Sequence, residues 1–121
     1  MTPNPRPRIG AVIIKSKKLL IVSSSGAIHY WTPGGRPLPG ESHEQTLRRE
    51  LKEELNITLT FFRPYTSYEM IIDKERLISH YYLVTFKGKP SPKNEITKIA
   101  WFSKEDFEQK KLKISEENKG E

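Results

Sequence analysis

The alternation of apolar and polar positions predicts several short strands and one long amphipathic helix. Residues 8–14 concentrate β-branched side chains in a short run, which is typical of a buried strand. A polar turn at 15–18 and an apolar run at 19–22 follow, so the two runs predict a hairpin. After a loop at 23–26, residues 27–32 predict a third short strand.

The helix is the best-marked element of the chain. Ser42 and Gln45 have the spacing of a capping box, which predicts that the helix begins directly after Ser42. Leu47, Leu51 and Leu55 recur at every fourth position and therefore define the face that packs on the core.

The second half of the chain predicts further strands and a short closing helix. The predicted strands are 57–62, 65–72, 77–87 and 96–102, with a hairpin turn at 73–76 and a loop at 87–94. Pro64 is expected to separate the first two of these strands, because proline cannot donate to a strand ladder. Ser103 is expected to cap the closing helix. This order of elements predicts an α/β (α+β) sandwich of strands and helices.

The length of 121 residues is enough for one hydrophobic core and marginal for two, so a single domain is expected. We place this domain at residues 8–109. Residues 1–7 are rich in proline and are expected to be flexible, and the polar tail at 110–121 is expected to fray.

Composition excludes several classes of site. The chain has no cysteine, which rules out disulfides, thiol catalysis and cysteine-based zinc sites. Residues 1–8 lack the apolar core of a secretory signal, and the longest apolar run, 9–14, is too short to span a bilayer. The expected compartment is therefore the cytoplasm, with no membrane partner.

The net charge of +6 allows nucleic acid, an anionic surface or a small polyphosphate as partner. The basic residues are scattered along the chain, and no basic motif interleaved with aromatics is present. Solubility alone is an equally good explanation of the charge.

Three glutamates on the predicted helix carry the chemical signal. Glu50, Glu53 and Glu54 stand at i, i+3 and i+4, so their side chains project from one side. Like charges at this spacing destabilise a helix by about 0.2–0.5 kcal/mol per pair, which favours a cation between them. Oxygen ligands suit Mg²⁺ or Mn²⁺, and these ions suit phosphate substrates.

The alternative is a solvated helix face. Glu44–Arg48 and Arg49–Glu53 have the spacing of ordinary i,i+4 salt bridges. Composition alone favours this interpretation, but the spacing of residues over the whole segment 35–57 favours a metal site instead.

Segment 35–57 resembles the signature of the Nudix hydrolases. That signature reads Gly, five residues, Glu, seven residues, then Arg-Glu-aliphatic-any-Glu-Glu-any-Gly-aliphatic. The positions in register are Gly35, Glu41, Arg49, Glu50, Leu51, Glu53, Glu54 and Ile57. Asn56 stands where the family has glycine, at the predicted helix C-terminus, where asparagine is the usual second choice. Such a match arises by chance at roughly one start site in 10⁸.

The resemblance implies a mixed sheet held between helices and a Mg²⁺-dependent hydrolase, with Mn²⁺ as a substitute. The implied metal ligands are Glu50, Glu53, Glu54, the backbone carbonyl of Gly34 and Glu41, which either binds through water or fixes the loop onto the helix. Arg49 matches the arginine that holds a catalytic glutamate. The general base is either a helix glutamate, Glu53 or Glu50, or a glutamate from a later loop, for which Glu95 is the candidate.

Other residues are candidates for binding the substrate. Gly35, next to Gly34, lets the backbone approach phosphates because neither residue has a Cβ. Arg8 and Arg36 are placed as phosphate contacts, with a solvated role as the alternative. Trp31 is assigned to packing at the base of the loop. The tyrosines Tyr30, Tyr68, Tyr81 and Tyr82 are candidates for stacking a base, with a core role as the alternative.

The resemblance implies a small nucleotide as substrate, and the choice within that class is made by elimination. ADP-ribose enzymes of the family resemble one another in a proline about fifteen residues past the signature, and none stands at 71–74. Diadenosine-polyphosphate enzymes tend to have a tyrosine there, and none lies between Met70 and Ser79. The prediction is a (d)NTP pyrophosphohydrolase releasing a monophosphate and pyrophosphate. The alternatives are an ADP-ribose or NDP-sugar pyrophosphatase, an RNA 5′-end pyrophosphohydrolase and a non-catalytic nucleotide-binding module, as monomer or homodimer.

Overall fold

The computed structural model describes residues 7–108, and this part of the chain contains seven strands and two helices. The strands are β1 (Pro7–Val12), β2 (Ile14–Lys15), β3 (Lys18–Ser24), β4 (Gly34–Gly35), β5 (Thr58–Ile72), β6 (Glu75–Lys87) and β7 (Ile96–Ser103). The helices are α1 (His43–Leu55) and α2 (Lys104–Glu108). The predicted α+β class is confirmed. Residues 1–6 and 109–121 lie outside the described residues, and with them all of the predicted tail 110–121 and most of the predicted flexible segment 1–7; Pro7, the last residue of that segment, begins β1.

The strands form two sheets. One has the order β4-β1-β6-β5 and is mixed, because β1 runs parallel to β6 while the other pairs are antiparallel. The other has the order β2-β3-β7 and is antiparallel. The structure therefore has two sheets where the sequence predicts one.

The predicted hairpin between 8–14 and 19–22 is wrong in its main part. The strand divides near Ile13: β1 belongs to the mixed sheet, and only the two residues of β2 pair with β3. The physical reason is that β1 has neighbours on both sides, β4 and β6, so neither of its edges is available to β3.

The predicted third strand at 27–32 is also wrong. Trp31 makes a single bridge to Val22, with N–O distances of 2.9 and 2.8 Å in the two directions. The Trp31 side chain packs against the core cluster, as predicted for this residue. Side-chain packing therefore orders this segment without a ladder of hydrogen bonds.

Pro64 does not interrupt β5, contrary to the prediction of two strands. β5 is the edge strand of the mixed sheet and pairs only with β6. A proline is tolerated there, since the missing N–H costs no ladder bond when that position faces away from the neighbour. The register with β6 shifts between Pro64 and Thr66, so the irregularity is absorbed as a bulge.

Helix α1 has the ends and the buried face that the sequence predicts. Both bonds of the capping box are present: Gln45 N–H donates to Ser42 Oγ (3.1 Å), and Ser42 N–H donates to Gln45 Oε1 (2.8 Å). The helix ends at Asn56 in the left-handed conformation (φ 56°, ψ 41°). Leu47, Leu51 and Leu55 are fully buried, and each contributes about 2 kcal/mol by burial.

The core lies where α1 meets strands of both sheets. Its buried apolar members are Ile9, Ala11, Ile13, Leu20, Val22, Leu47, Leu51, Leu55, Ile57, Leu59, Val84 and Ile96. α1 contacts β1, β4 and β5, which holds its second half against the Gly-Gly strand β4. α2 contacts β7 and is capped by Ser103, whose Oγ accepts from Asp106 N–H (3.2 Å). Of the helices described, none is both long and apolar enough to cross a membrane.

Candidate active site

The site begins at β4, where the backbone leaves no room for side chains. Gly34 has φ 144°, and a Cβ there would overlap the carbonyl oxygen of Ile9 and lie 2.9 Å from Cα of Gly10. A Cβ at Gly35 would overlap the carboxylate of Glu50, with 2.6 Å to its Cδ. Only glycine fits at position 34 without moving the backbone, and a side chain at position 35 would displace the carboxylate of Glu50. The result is bare backbone beside a carboxylate.

Glu54 is the buried acid of the site, with 3% of its surface exposed. Its Oε1 accepts a hydrogen bond from the N–H of Gly34 (3.1 Å), and its carboxyl is also hydrogen-bonded to that of Glu50. Burial raises the pKa of Glu54 to about 8, the Gly34 bond opposes this shift and the charge of Glu50 adds to it. Near neutral pH the carboxyl of Glu54 therefore holds a proton when no cation is bound.

Arg49 joins the turn before α1 to the glutamates on the helix. Its guanidinium donates twice to Glu41, from Nε (2.7 Å) and Nη2 (2.9 Å). Nη1 donates to Glu50 (3.0 Å) and to Glu53 (3.3 Å), and Nη2 also donates to the carbonyl of Arg36 (3.1 Å). One planar cation thus sets the orientation of three carboxylates at once.

Glu41 is held by four hydrogen bonds. Besides the two from Arg49, its Oε1 accepts from the N–H of Leu38 (2.9 Å) and from Oγ1 of Thr46 (2.9 Å). The bond from Arg49 is the largest cause that lowers the pKa of Glu41 to about 2. The side chain is therefore a permanent anion that fastens the turn to the helix.

Glu53 is the exposed member of the three helix glutamates. Its side chain is half exposed, and its Oε1 is held by Arg49. Between residues 7 and 108, no three acidic or histidine side chains gather into a ready metal-binding group. The structure therefore brings together Glu50 and Glu54, while Glu53 shares Nη1 of Arg49 with Glu50.

A cleft of about 550 Å³ opens above Glu54 and Gly34. Its other lining residues are Arg8, Trp31, Thr32, Tyr68, Met70, Leu77, Ser79, Tyr81 and Glu95. Arg8 is fixed there by Thr32, which accepts through its carbonyl (2.6 Å) and through Oγ1 (3.2 Å). Glu95 has an exposed side chain at the cleft, whereas Arg36 is exposed and lies outside the lining.

Sequence reasoning missed Thr32 and Thr46. Thr32 lies 24 positions from Arg8, so no local pattern connects the two. Thr46 stands four residues before Glu50, on the glutamate side of the helix, and it is fully buried. A buried hydroxyl requires a partner, and the Thr46 hydroxyl lies 2.9 Å from both Glu41 Oε1 and the carbonyl of Ser42.

Comparison with known families identifies the family of this chain. A family model described as NUDIX domain matches residues 4–119. The chain belongs to the Nudix family. It is a pyrophosphohydrolase of the Nudix type, and Nudix hydrolases generally use divalent metals and act on small nucleotides.

Solved Nudix structures have the same fold. A MutT NUDIX hydrolase from Burkholderia pseudomallei is 26% identical over 84% of each chain, with a TM-score of 0.74. The Escherichia coli ORF135 protein is 26% identical over 92% of this chain and 81% of its own, with a TM-score of 0.76. A NUDIX hydrolase from Nitrosomonas europaea is 25% identical over 89% and 78%, also with a TM-score of 0.76.

Proposed function

We propose that this Nudix hydrolase is a Mg²⁺-dependent pyrophosphohydrolase of nucleoside triphosphates, releasing a nucleoside monophosphate and pyrophosphate. The observation that carries the proposal is the buried carboxyl of Glu54, in contact with Glu50 at the floor of a cleft lined by Arg8 and Glu95. A buried acid pair is costly unless a proton or a cation neutralises it.

The donor set fits a hard divalent cation. Glu50 and Glu54 supply carboxylate oxygens, the ligands that Mg²⁺ and Mn²⁺ prefer, and the glycines of β4 leave space beside them. Glu50 and Glu54 would hold the ion, joined by the carbonyl of Gly34 and by Glu53 once its side chain turns away from Arg49. A bound ion of this kind neutralises diphosphate charge and lowers the pKa of a coordinated water.

The protein's own residues would supply orientation and proton transfer. Arg49 keeps Glu50 in place, and Glu41 keeps Arg49 in place. Arg8 presents a positive charge inside the cleft, suited to a phosphate. Glu53 and Glu95 are the two candidates for the general base: Glu53 is next to the acid pair in sequence, and Glu95 shares the cleft with Glu54.

The size of the cleft and the MutT-like neighbours support a mononucleotide. A volume of about 550 Å³ is within the range of small-molecule sites. The MutT NUDIX hydrolase from Burkholderia pseudomallei and a MutT structure described for Aliivibrio salmonicida and Vibrio cholerae are each 26% identical to this chain. A UDP-X diphosphatase is only 18% identical and shares the fold alone.

Substitution of single carboxylates tests this proposal. Glu54→Gln and Glu50→Gln should each lower kcat by about 10²-fold or more, because each removes a charge that the bound ion needs. Glu44→Gln is the matched control, since Glu44 lies on the same helix and bonds only Arg48 at the surface. Wild-type turnover by Glu54→Gln, with the fold verified by circular dichroism, would overturn the site.

A further inference from the structure

We propose that Tyr81 is the specificity-determining residue of the cleft and gives it a preference for ligands that carry a nucleobase. This inference rests on the proposed function, because it assigns the part of the substrate that lies beyond the phosphates. Tyr81 has no role in the acid pair or in the network of Arg49.

The ring of Tyr81 lies against bare backbone. Tyr81 on β6 is paired in register with Gly10 on β1. A Cβ at Gly10 would lie 2.8 Å from both Cδ1 and Cε1 of the Tyr81 ring, and 3.0 Å from Nη1 of Arg8. These contacts are too short for any side chain, so the glycine is what allows the ring and the guanidinium to occupy their positions in the cleft.

Tyr68 extends this aromatic surface. The rings of Tyr68 and Tyr81 are stacked, with centroids 5.8 Å apart and planes inclined by 22°. The other residues that the β5–β6 hairpin contributes to the cleft are Met70, Leu77 and Ser79. The hairpin side of the cleft is therefore aromatic and apolar, apart from hydroxyl groups.

The charged residues of the cleft come from other elements than the hairpin. Arg8, Glu54 and Glu95 come from β1, α1 and the segment before β7. A phosphate chain is matched by Arg8 and by a cation at Glu54, which leaves the hairpin for the uncharged part of the ligand. A planar base gains about 5- to 150-fold in affinity from stacking on an aromatic side chain, and a bare sugar does not.

The next residue, Tyr82, has a structural role in the same sheet and can be compared with Tyr81. It packs against the core cluster, and its hydroxyl is 2.6 Å from Nδ1 of His43. Successive residues of a strand face opposite sides, so Tyr81 faces the cleft and not the core. Packing against the hydrophobic core therefore does not account for Tyr81.

The affinities for ligands with and without a base distinguish the contribution of the base from that of the phosphate. Nucleoside monophosphates and ribose 5-phosphate would be titrated by calorimetry into the wild-type protein, Tyr81→Leu and Tyr65→Leu. Tyr65 is the matched control, because it lies on the same hairpin, is 59% exposed and is outside the cleft lining.

We expect the wild type and Tyr65→Leu to bind at least one monophosphate about 10-fold or more tightly than ribose 5-phosphate. Tyr81→Leu should bring this ratio close to one while leaving the affinity for ribose 5-phosphate unchanged. Gly10→Ala, which pushes the ring aside, should lower the ratio as well and guards against a folding defect in Tyr81→Leu.

A wild-type ratio near one, or a ratio that survives in folded Tyr81→Leu, would overturn the inference. Turnover of triphosphates with Mg²⁺ is measured separately. Turnover without base preference would reject only the role of Tyr81, and base preference without turnover would reject only the proposed hydrolysis.

Discussion

Gly35 is the residue at which backbone geometry and chemistry are most directly coupled, because any side chain there would displace Glu50. We expect Gly35→Ala to lower kcat by about 10-fold or more, since 1.4 kcal/mol of misplacement already has that effect. Gly26→Ala is the control: nothing lies within 4 Å of the added Cβ, although the φ of Gly26 (81°) strains the backbone of this variant more than that of Gly35→Ala. Equal loss of activity in both variants would contradict the role of Gly35.

Glu54 gives the metal-free protein a pH dependence of stability with a defined sign. Its pKa is raised from 4.5 to about 8 on folding, so between these values the folded state holds a proton that the unfolded state has lost. The free energy of unfolding therefore falls as the pH rises. In EDTA, the fall between pH 6.5 and 8 should be roughly 2 kcal/mol, measured by urea denaturation.

Glu54→Gln is the control for this effect, since it cannot titrate and its stability should stay level over the same interval. His43 does not interfere. Burial, and then the neighbouring His80, lower the pKa of His43 below 6.5, so its contribution is lost only as the pH falls below that value. Wild-type stability that rises from pH 6.5 to 8 would be inconsistent with the buried acid pair.

The sequence predicts that the three helix glutamates stand together on one element, but it does not predict how their side chains are oriented. The helical spacing is enough to place Glu50, Glu53 and Glu54 on α1. The orientation of Glu53 depends on Arg49, which in turn is held by Glu41 from the preceding turn. Such a network is set in three dimensions and leaves no periodic signal in the chain.

Among the elements, α1 could be predicted almost completely because its signals are local. The cap at Asn56 adopts φ 56°, and its N–H bonds to the carbonyls of Leu51 and Lys52. We expect Asn56→Ala to lower the free energy of unfolding by about 1 kcal/mol, because a residue with a plain Cβ is strained in this conformation. Asn56→Gly should be neutral or stabilising.

Both variants should retain wild-type kcat, since Asn56 contacts no residue of the acid pair. Thermal denaturation and a turnover assay on the two variants test this together. An Asn56→Ala variant as stable as the wild type would contradict the strain expected at this cap. An inactive Asn56→Gly variant would show that the family's glycine and this asparagine are not equivalent caps.

The strands could be predicted less well, because their limits depend on neighbours. Pro64 is a valid signal for a strand end in a central strand, but β5 lies at the edge of its sheet. Residues 27–32 have strand-like composition, yet Trp31 makes only an isolated bridge, to Val22. Pairing, and not propensity, decided both cases.

At the scale of the whole molecule, the decisive arrangement is the parallel pairing of β1 with β6. It places Gly10 beside Tyr81 and leaves the other edge of β1 to the Gly-Gly strand β4. These strands are far apart in sequence, and no composition signal joins them. The class of the fold could therefore be predicted from the chain, and the two-sheet topology that forms the cleft could not.

The most direct test of the central claim is product analysis with Mg²⁺ over a panel of dNTPs, oxidised dNTPs, ADP-ribose and dinucleoside polyphosphates. The acid pair beside Gly34 predicts equimolar monophosphate and pyrophosphate from a triphosphate, abolished by EDTA and by Glu54→Gln. Product release from ADP-ribose alone would support the metal site but reject a triphosphate as the substrate. Turnover that resists EDTA, or no product with either Mg²⁺ or Mn²⁺, would contradict the account.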